Sequence, residues 1–476
     1  MLTKENLIQG NWIKTEERMA VTNPANKEVI GYVPQAGTLE AERAVTAAHE
    51  AFPAWAARTA EERSQLLYRW YQLIETNKEQ LARMMTMEQG KPLQEARGEI
   101  DYANNYILWY AEEAKRLYGE SIPASSTAKR IFVKKEPVGV VAAITPWNFP
   151  AAMITRKVAP ALAAGCTVVT KPASETPFTA ILLMELAQEA GMPAGVINLV
   201  TGDAQTIVGA WQADQRVKKL TFTGSTPVGK QLMQDAAGTM KRLSLELGGH
   251  APFIVTKNAD LERAVEGAII SKFRNAGQTC ICSNRMYIDE EIADRFIERF
   301  TEKVSTLVVG DGLHDGVDIG PLINKAALNK VKEHIDDAKK RGATLVMGGE
   351  MIMEDQGYFM TPAVLTGVTD EMLCMQEETF GPLAPITTFR TVEEALKRAN
   401  HSPFGLAAYA YSNDIAEAMQ LADGLQYGVI GLNDGAPSAA QAPFGGFKES
   451  GYGREGSHHG IESYVEVKYI SLGGLG

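Results

Sequence analysis

The chain has 476 residues, of which 45% are hydrophobic and 22% charged, and its formal net charge at pH 7 is −11. Such a chain is typical of a globular enzyme with about three units of roughly 150 residues. The negative charge and the lack of a Lys/Arg-rich run argue against nucleic acid and membrane partners. No apolar run reaches the roughly 18 residues of a membrane span, and no signal-peptide pattern opens the chain. We therefore expect a cytoplasmic protein.

The first part of the chain is predicted to be mostly helical after a few N-terminal strands. Apolar residues recur at helical spacing over 39–58 and again over 91–116. Thr59 and Glu62 form a capping-box pattern that opens another helix between these two. Residues 129–135 alternate apolar and charged side chains, as an exposed antiparallel strand does.

From residue 138 the pattern changes to alternating strands and helices. The run 138–144 is continuously apolar, which indicates a strand buried on both faces, and a helix over 151–164 ends at Gly165. Further strands and helices are predicted in turn: strand 166–171, helix 177–190, strand 196–200, helix 204–212 and strand 218–222. This alternation predicts βαβ units on a parallel sheet, an α/β class well suited to nucleotides.

A second alternating series begins near residue 252, continues through a helix over 260–275 and runs to about 430. The tail over 462–472 alternates like an edge strand and is predicted to pair with 129–135 as a projecting two-stranded flap. Because an isolated ribbon is marginal in water and its edges attract a partner, the flap suggests an oligomer.

The loop PWNFP (146–150) directly follows the first buried strand. Open α/β sheets bind ligands at the carboxyl ends of their strands, which is where this rigid loop lies. Asn148 provides an uncharged amide donor there, the kind of group that stabilises an oxyanion. The alternative is that Asn148 only satisfies backbone groups in its own turn.

Glu246 is flanked by leucines in the run LELGG (245–249). A carboxylate buried among leucines has a raised pKa, which suits a general base near neutral pH. The alternative places Glu246 on the solvent face of an alternating strand.

Four cysteines are present without a C-x-x-C pair, as in a reducing compartment: Cys166, Cys280, Cys282 and Cys374. Cys280 follows a predicted helix in the segment GQTC (277–280), where converging backbone donors or a nearby base could activate it. We interpret Cys166 and Cys374 as small buried residues. No pattern of metal ligands is found, so we expect no metal.

Two glycine-rich segments complete the set of motifs. FTGST (222–226) follows a strand and opens a helix, so its backbone amides could face a phosphate, although it lacks the G-x-G-x-x-G pattern. PFGGFK (443–448) is a glycine turn of no obvious chemistry.

Taken together, these segments resemble the NAD(P)-dependent aldehyde dehydrogenase superfamily over essentially the whole chain. PWNFP, KPASE (171–175), FTGST, LELGG, GQTC, EETFGP (377–382) and PFGGFK occur in the order of that family. The resemblance implies two Rossmann-type parallel-sheet domains and a small β-flap for oligomerisation. It places a dinucleotide-binding domain at 1–118 and 138–248, a catalytic domain at 249–442, and the flap at 119–137 and 456–476.

By this resemblance Cys280 is the nucleophile, and Asn148 together with the Cys280 backbone N–H holds the oxyanion. Loss of hydride to the nicotinamide gives a thioester, which water activated by Glu246 hydrolyses. Lys157 and Glu455 are expected to relay the proton. Cys282 matches a residue that can form a reversible disulfide with the nucleophile; the alternative is a small loop residue.

The resemblance also assigns a cofactor site, formed by Ile144, Thr145, Trp147, Lys171, Ser174, Glu175, Gly224, Ser225, Glu378 and Phe380. Strictly NAD-dependent relatives often have a glutamate where this chain has Ser174. A serine beside Lys171 removes a charge that repels a 2′-phosphate, which favours NADP, while neighbouring Glu175 keeps NAD as the alternative.

Arg156, Arg274 and Ser438 match the positions that bind a substrate carboxylate in succinate-semialdehyde dehydrogenases. Arginine suits this role because its planar fork bonds a carboxylate bidentately; the alternative is that both arginines form structural salt bridges. The favoured substrate is therefore succinate semialdehyde, and glutarate semialdehyde, 2-oxoglutarate semialdehyde or a broad range of aldehydes are the alternatives. Glu246 argues for water rather than CoA as the acyl acceptor. The alternative from a different functional class is a catalytically silent structural protein on the same fold. The resemblance also implies a dimer or a tetramer, because the family forms both.

Overall fold

The computed structural model describes residues 2–353 and 355–474. Fifteen α-helices occur in this part of the chain: α1 Thr38–Ala56, α2 Ala60–Thr76, α3 Lys78–Gln89, α4 Leu93–Glu113, α5 Ala152–Ala164, α6 Pro177–Glu189, α7 Ala204–Ala213, α8 Thr226–Ala236, α9 Leu261–Phe273, α10 Ala293–Ser305, α11 Lys325–Lys340, α12 Leu373–Gln376, α13 Val392–Asn400, α14 Ile415–Gly424 and α15 Ser457–Glu462. Short 3₁₀ turns lie at Ala114–Arg116, Ala237–Thr239 and Arg274–Gly277.

Strands of the same described residues are β1 Leu2–Thr3, β2 Asn6–Ile8, β3 Asn11–Ile13, β4 Arg18–Thr22, β5 Val29–Pro34, β6 Glu120–Ile122, β7 Arg130–Pro137, β8 Val140–Ile144, β9 Thr167–Lys171, β10 Ile197–Leu199, β11 Val217–Thr223, β12 Arg242–Glu246, β13 Ala251–Val255, β14 Ser283–Asp289, β15 Thr344–Met347, β16 Met351–Ile352, β17 Phe359–Met360, β18 Ala363–Thr366, β19 Leu383–Phe389, β20 Phe404–Gly405, β21 Ala407–Tyr411, β22 Val429–Leu432, β23 Phe447–Lys448, β24 Gly451–Tyr452 and β25 Val465–Leu472.

The predicted parallel sheets are both present. The first has the strand order β24-β12-β11-β8-β9-β10-β2-β3, with parallel pairing from β12 to β10. The second has the order β15-β18-β19-β14-β13-β21-β22, parallel except for the antiparallel edge strand β15. Both confirm the α/β class expected from the alternating pattern.

The central strands are buried because helices cover both faces of the first sheet. Every residue of β8 and β9 is buried, as their continuous apolar runs predict. Every residue of α5 is buried as well. The helix ends at Gly165, whose φ of 97° lies in the left-handed region that glycine adopts freely. The predicted capping box at Thr59 and Glu62 is formed.

The register of the parallel strands brings their carboxyl ends to one edge of the first sheet. Ile144 of β8 lies opposite Lys171 of β9, and Thr223 of β11 lies opposite Glu246 of β12. The loops that carry the predicted site residues therefore leave the sheet side by side.

The flap has three strands, in the order β25-β7-β6, where the sequence pattern predicted two. Strand β6 was missed because only three residues of it pair. Residues Ser457–Glu462, inside the range assigned to the flap, form α15, which packs on α4 and α5, so the last flap strand begins at Val465. Residues 475 and 476 of the same range lie outside the described residues. No helix in the described part of the chain is long and apolar enough to cross a membrane.

Candidate active site

A cleft of about 270 Å³ opens where the loops after the first sheet meet the loops of the second. Seven of the predicted site residues line it: Trp147, Asn148, Gly224, Ser225, Cys280, Glu378 and Phe380. The sequence analysis assigned no site role to the other lining residues, which are Pro146, Met153, Thr223, Leu247, Gly248 and Lys330. The cleft therefore brings together the predicted nucleophile, the predicted amide donor and part of the predicted cofactor site.

Cys280 lies in the loop between the 3₁₀ turn after α9 and strand β14. The turn contains three consecutive residues with positive φ: Asn275 at 53°, Ala276 at 54° and Gly277 at 75°. A Cβ atom on Gly277 would lie 2.2 Å from the Gly381 backbone oxygen, so only glycine fits there. We call residues 274–282 the nucleophile loop, after the predicted role of Cys280; a tight turn holds this loop against the loop before β19.

The Cys280 side chain is half-buried and packs against the core of the second sheet. Burial raises the pKa of its thiol to about 12, and the positive charge of Arg156 offsets this only in part. At neutral pH the sulfur of this structure is therefore a protonated thiol. A thiolate, which is the nucleophilic form, needs a base or an added positive charge.

Asn148 is 5% exposed, and its side-chain nitrogen donates to the backbone oxygen of Gln278, at 3.0 Å. Gln278 lies two residues before Cys280, so the amide bonds the nucleophile loop and does not serve its own turn. An amide NH₂ group has two donors, and this hydrogen bond uses one of them. The second N–H remains for an oxygen atom in the cleft.

Glu246 is 2% exposed, and neither of its carboxyl oxygens has a hydrogen-bond partner among the described residues. The solvent-face alternative is therefore wrong. Burial raises the pKa of Glu246 well above its usual value, and the negative charge of Glu455 raises it further. Glu246 ends β12 directly before Leu247, which lines the cleft, and its raised pKa favours the protonated form more than in an exposed carboxyl group.

Arg156, Lys157 and Glu455 form a buried ion cluster beside Glu246. Lys157 Nζ donates to Thr223 Oγ1 at 2.6 Å and also forms a salt bridge with Glu455. The Arg156 Nε atom lies 2.5 Å from Glu455 Oε2. Burial opposes ionisation of Glu455, but the charges of Lys157 and Arg156 outweigh it and lower its pKa.

This cluster gives Arg156 a partner within the protein, whereas its predicted binding of the substrate carboxylate stays a prediction. Its guanidinium is 1% exposed, pairs with Glu455, stacks on the ring of Phe444 at 4.3 Å and does not line the cleft. The salt-bridge alternative therefore describes Arg156 in this structure. The partner could not be found from spacing, because the two residues lie about 300 positions apart in the sequence.

Arg274 differs from Arg156 in having no salt bridge in the described part of the chain. It is half-buried, and its guanidinium lies 4.8 Å from the ring centroid of Phe149. It forms no salt bridge within residues 2–353 and 355–474, although the charge of half-buried Glu95 acts on it. Arg274 does not line the cleft either, but the structure leaves it six residues before Cys280 without a bonded carboxylate. Ser438 is half-buried in the loop after β22.

The residues assigned to the cofactor divide into two groups. Trp147 and Phe380 meet edge to face across the cleft, with ring centroids 5.5 Å apart. Burial raises the pKa of Glu378 to about 7, although the Gly249 N–H bonds its carboxylate at 3.1 Å. Ser225 is the residue before α8, so the N-terminus of that helix faces the cleft, a favourable end for a phosphate.

The other group lies at the ends of β8 and β9, outside the cleft itself. Ile144 and Thr145 are buried, Ser174 is half-buried and Glu175 is exposed. Lys171 is 3% exposed and its Nζ donates to the Pro172 oxygen at 3.1 Å; burial lowers its pKa. A buried cation near a helix N-terminus fits the phosphates of a dinucleotide.

Cys282 does not reach the cleft. Its side chain is buried, lies 3.3 Å from the Nζ atom of Lys272 and is a free thiol, like the other three cysteines. A disulfide with Cys280 therefore remains a prediction.

The sequence reasoning missed a second buried ion pair next to the cleft. Lys91 and Glu99 are each 1% exposed, and their charged atoms lie 2.5 Å apart. Lys91 also donates to the backbone oxygen of Asn148 at 2.8 Å, and Glu99 accepts from the N–H of Ala151 at 2.9 Å, at the start of α5. The pair fixes the loop that carries Asn148. The one available signal was Gly90 before Lys91, a glycine that ends α3 with a φ of 97°.

Comparison with known proteins identifies a matching family and several similar sequences. A sequence model described as the aldehyde dehydrogenase family matches residues 12–470. The 3-sulfolactaldehyde dehydrogenase of Pseudomonas putida is 52% identical, with 100% of this chain and 98% of the relative covered. The glutarate-semialdehyde dehydrogenase of Pseudomonas putida KT2440 and the NADP⁺ succinate-semialdehyde dehydrogenase of Escherichia coli K12 are also 52% identical, each covering 99% of this chain and 98% of the relative.

A solved structure shares the fold. The crystal structure of an NADP-dependent enzyme of E. coli superposes with a TM-score of 0.98 at 52% identity, covering 99% of this chain and 98% of that one.

Proposed function

The chain belongs to the aldehyde dehydrogenase family, and on that premise we propose that it oxidises an aldehyde with a distal carboxylate, namely succinate semialdehyde to succinate. The single observation that carries the substrate class is Arg274. This half-buried cation has no salt bridge in the described part of the chain, and it lies six residues before Cys280. A substrate carboxylate is the group that would satisfy it.

The residues around the cleft fit a thiol-based oxidation. The thiol of Cys280 first releases its proton to solvent water, and the thiolate then adds to the aldehyde carbon. The second N–H of Asn148 and the backbone N–H of Cys280 donate to the oxyanion of the thiohemiacetal that forms. A bound nicotinamide supplies the hydride acceptor, which leaves a thioester on Cys280. Glu246 accepts a proton from the water that hydrolyses this thioester, and Lys157 with Glu455 carries the proton onward.

We propose NADP⁺ as the preferred electron acceptor, with NAD⁺ as the alternative. Lys171 places a cation at the end of β9, and Ser174 adds no negative charge there. The E. coli relative of equal identity is named for NADP⁺. Exposed Glu175 opposes this preference.

The second candidates are glutarate semialdehyde and 3-sulfolactaldehyde. Relatives named for each are as similar to this chain as the succinate-semialdehyde dehydrogenase, so identity alone does not select among the three substrates. All three carry an anion that an arginine can bind. Their different lengths make the distance from Arg274 to the reacting carbon the deciding quantity.

The test is a steady-state panel of these three substrates and of butanal, each with both nicotinamides, on wild type and on Arg274→Gln. We expect kcat/KM for succinate semialdehyde to exceed that for butanal by about 10–150-fold, because a hydrogen bond to a charged group contributes about 1.5–3 kcal/mol. The variant should lose this preference and keep its activity on butanal. The exposed Arg295 of α10, replaced in the same way, is the matched control. Equal kcat/KM values for butanal and every anionic aldehyde would refute the substrate class. If the protein oxidised no aldehyde at all, the alternative of a catalytically silent structural protein would stand.

We further propose that the three-stranded flap joins protomers into a dimer or tetramer, in a cytoplasmic protein. Strand β25 exposes a row of large apolar side chains, with Val467 67% and Tyr469 62% exposed. Exposed contiguous apolar surface of this kind is typical of an interface. Light scattering on Tyr469→Glu, with Arg295→Glu at the exposed Arg295 of α10 as control, tests this. A Tyr469→Glu variant that keeps the mass of the wild-type assembly would refute it.

We also propose that residues 1–118 and 138–248 bind the dinucleotide and that residues 249–442 supply the nucleophile. The division is supported by the helix N-terminus after β11 in the first sheet and by the position of Cys280 before β14 in the second.

A further inference from the structure

Asn275 connects the two loops that carry the proposed oxyanion donors. Its side-chain nitrogen lies 3.0 Å from the backbone oxygen of Asn148 and 3.2 Å from that of Gln278. The side chain of Asn148 donates to the same Gln278 oxygen, at 3.0 Å. The loop after β8 and the loop before β14 are thus joined by hydrogen bonds at the residues that flank the reacting sulfur.

The orientation of the Asn275 amide is fixed by groups that can act in one way only. The backbone N–H of Lys91 can only donate, and the side-chain oxygen of Gln89 accepts it at 3.0 Å. The Gln89 amide nitrogen therefore faces Asn275 and donates to its side-chain oxygen at 2.9 Å. This leaves the NH₂ group of Asn275 for the carbonyl oxygens of Asn148 and Gln278, which can only accept.

The backbone of Asn275 is held as firmly as its side chain. Its φ of 53° lies in the left-handed region, which asparagine tolerates better than most residues. Its N–H donates to the carboxylate of Glu95 at 2.8 Å, and its backbone oxygen accepts from the N–H of Gln278 at 3.0 Å. The residue is 1% exposed, so these bonds are shielded from water.

We propose that Asn275 is a positioning residue for the oxidation: it sets the separation between the Asn148 amide and the Cys280 loop without touching the substrate. The proposal rests on the function proposed above. An oxyanion is stabilised only when its donors lie about 2.7–3.1 Å from it, so a small shift between the two loops weakens this interaction. Binding of the substrate does not depend on that separation.

Asn275→Gly tests the role, because glycine keeps the left-handed backbone and removes only the amide. Ala276→Gly is the matched control, since it loosens the neighbouring residue, at a φ of 54°, without removing a side-chain hydrogen bond. We expect kcat to fall by about 10–100-fold in Asn275→Gly with KM within about twofold of wild type, and Ala276→Gly to resemble wild type. Equal losses in both variants would overturn the proposal.

Two further measurements separate positioning from a collapsed loop. Alkylation of Cys280 by iodoacetamide forms no oxyanion, so its rate should be unchanged in Asn275→Gly; a parallel fall would overturn the proposal. In the double variant Asn148→Ala/Asn275→Gly, the loss should be no larger than in Asn148→Ala alone, whereas multiplied losses would show independent action and also overturn it.

Asn275→Asp keeps the volume of the side chain but directs a carboxylate at two carbonyl oxygens. Its kcat should fall at least as far as that of Asn275→Gly, and a fully active Asn275→Asp would overturn the proposal. If the wild-type protein oxidised no aldehyde, the proposed function itself would be refuted. That outcome is distinct from the results expected for the Asn275 variants.

Discussion

Asn148→Ala is expected to lower kcat by about 10²–10³-fold, the usual cost of removing one oxyanion donor, while the folded protein stays nearly as stable as wild type. In free-energy terms the loss at the transition state is about 2.7–4 kcal/mol. The oxyanion exists only after the sulfur has added to the carbonyl carbon. KM should therefore change little.

The small effect on stability follows from the hydrogen bonds that remain. The Gln278 oxygen that accepts from Asn148 also accepts from Asn275 Nδ2 at 3.2 Å, so alanine leaves no buried carbonyl without a partner. The backbone oxygen of Asn148 keeps its bonds from Lys91 and Asn275. What is lost is one net hydrogen bond, about 1 kcal/mol, at a residue that borders an open cleft.

Stopped-flow measurement of nicotinamide reduction gives the rate, and a thermal melt of the same sample gives the stability. Ala276→Gly, which lies in the nucleophile loop but removes no donor, is the control. A loss of less than tenfold would mean that the second N–H of Asn148 does not reach the oxyanion. A melting temperature far below that of wild type would mean instead that Asn148 is mainly structural.

Two further predictions concern the ionisable groups. Burial raises the pKa of the Cys280 thiol to about 12, so alkylation of the cofactor-free protein by iodoacetamide should accelerate about tenfold per pH unit from about pH 7 to 10. A plateau near about pH 8 would show an ordinary thiol; the Cys280→Ala variant gives the background and should oxidise no aldehyde. Lys91→Met removes the cation paired with buried Glu99 and leaves that carboxyl group its hydrogen bonds from the backbone N–H groups of Ala151 and Ala152. The variant should lower the free energy of unfolding by about 3 kcal/mol. Calorimetry measures this loss, and an unchanged transition would contradict the importance of the pair.

The sequence predicted the sheet elements well wherever burial is complete. Continuous apolar runs such as 140–144 predict a strand clearly because both faces of the strand are buried. Gly165 predicts the end of α5 because glycine readily adopts the left-handed conformation found there. Strand β6 has only three residues and pairs through its backbone, so its side chains carry no periodic pattern. Short edge strands of this kind become visible only in the structure.

In the site, residues within motifs could be predicted from the sequence, whereas contacts between distant residues could not. The family resemblance assigned Cys280, Asn148 and Glu378 to one site, and all three line one cleft. Asn148 lies in the loop after β8, Cys280 in the loop before β14 and Glu378 in the loop before β19. The salt-bridge partner of Arg156 could not be predicted, because Glu455 is far away in the sequence. Charge pairs of this type depend on the tertiary fold, and nothing in the local sequence identifies which carboxylate a buried arginine meets.

The electrostatics of the cluster also suggest why one site can first provide a nucleophile and then a base. Arg156 and Lys157 are two cations against the single anion Glu455, so the cluster can balance one further negative charge. The charge of Glu246 raises the pKa of Cys280, so the thiolate and the Glu246 carboxylate disfavour each other. While the sulfur is a thiolate, its negative charge opposes the ionisation of Glu246, so premature activation of water is disfavoured. Once the sulfur is acylated it is neutral, and the same positive charge then favours ionisation of Glu246, which becomes a base at the step that requires one.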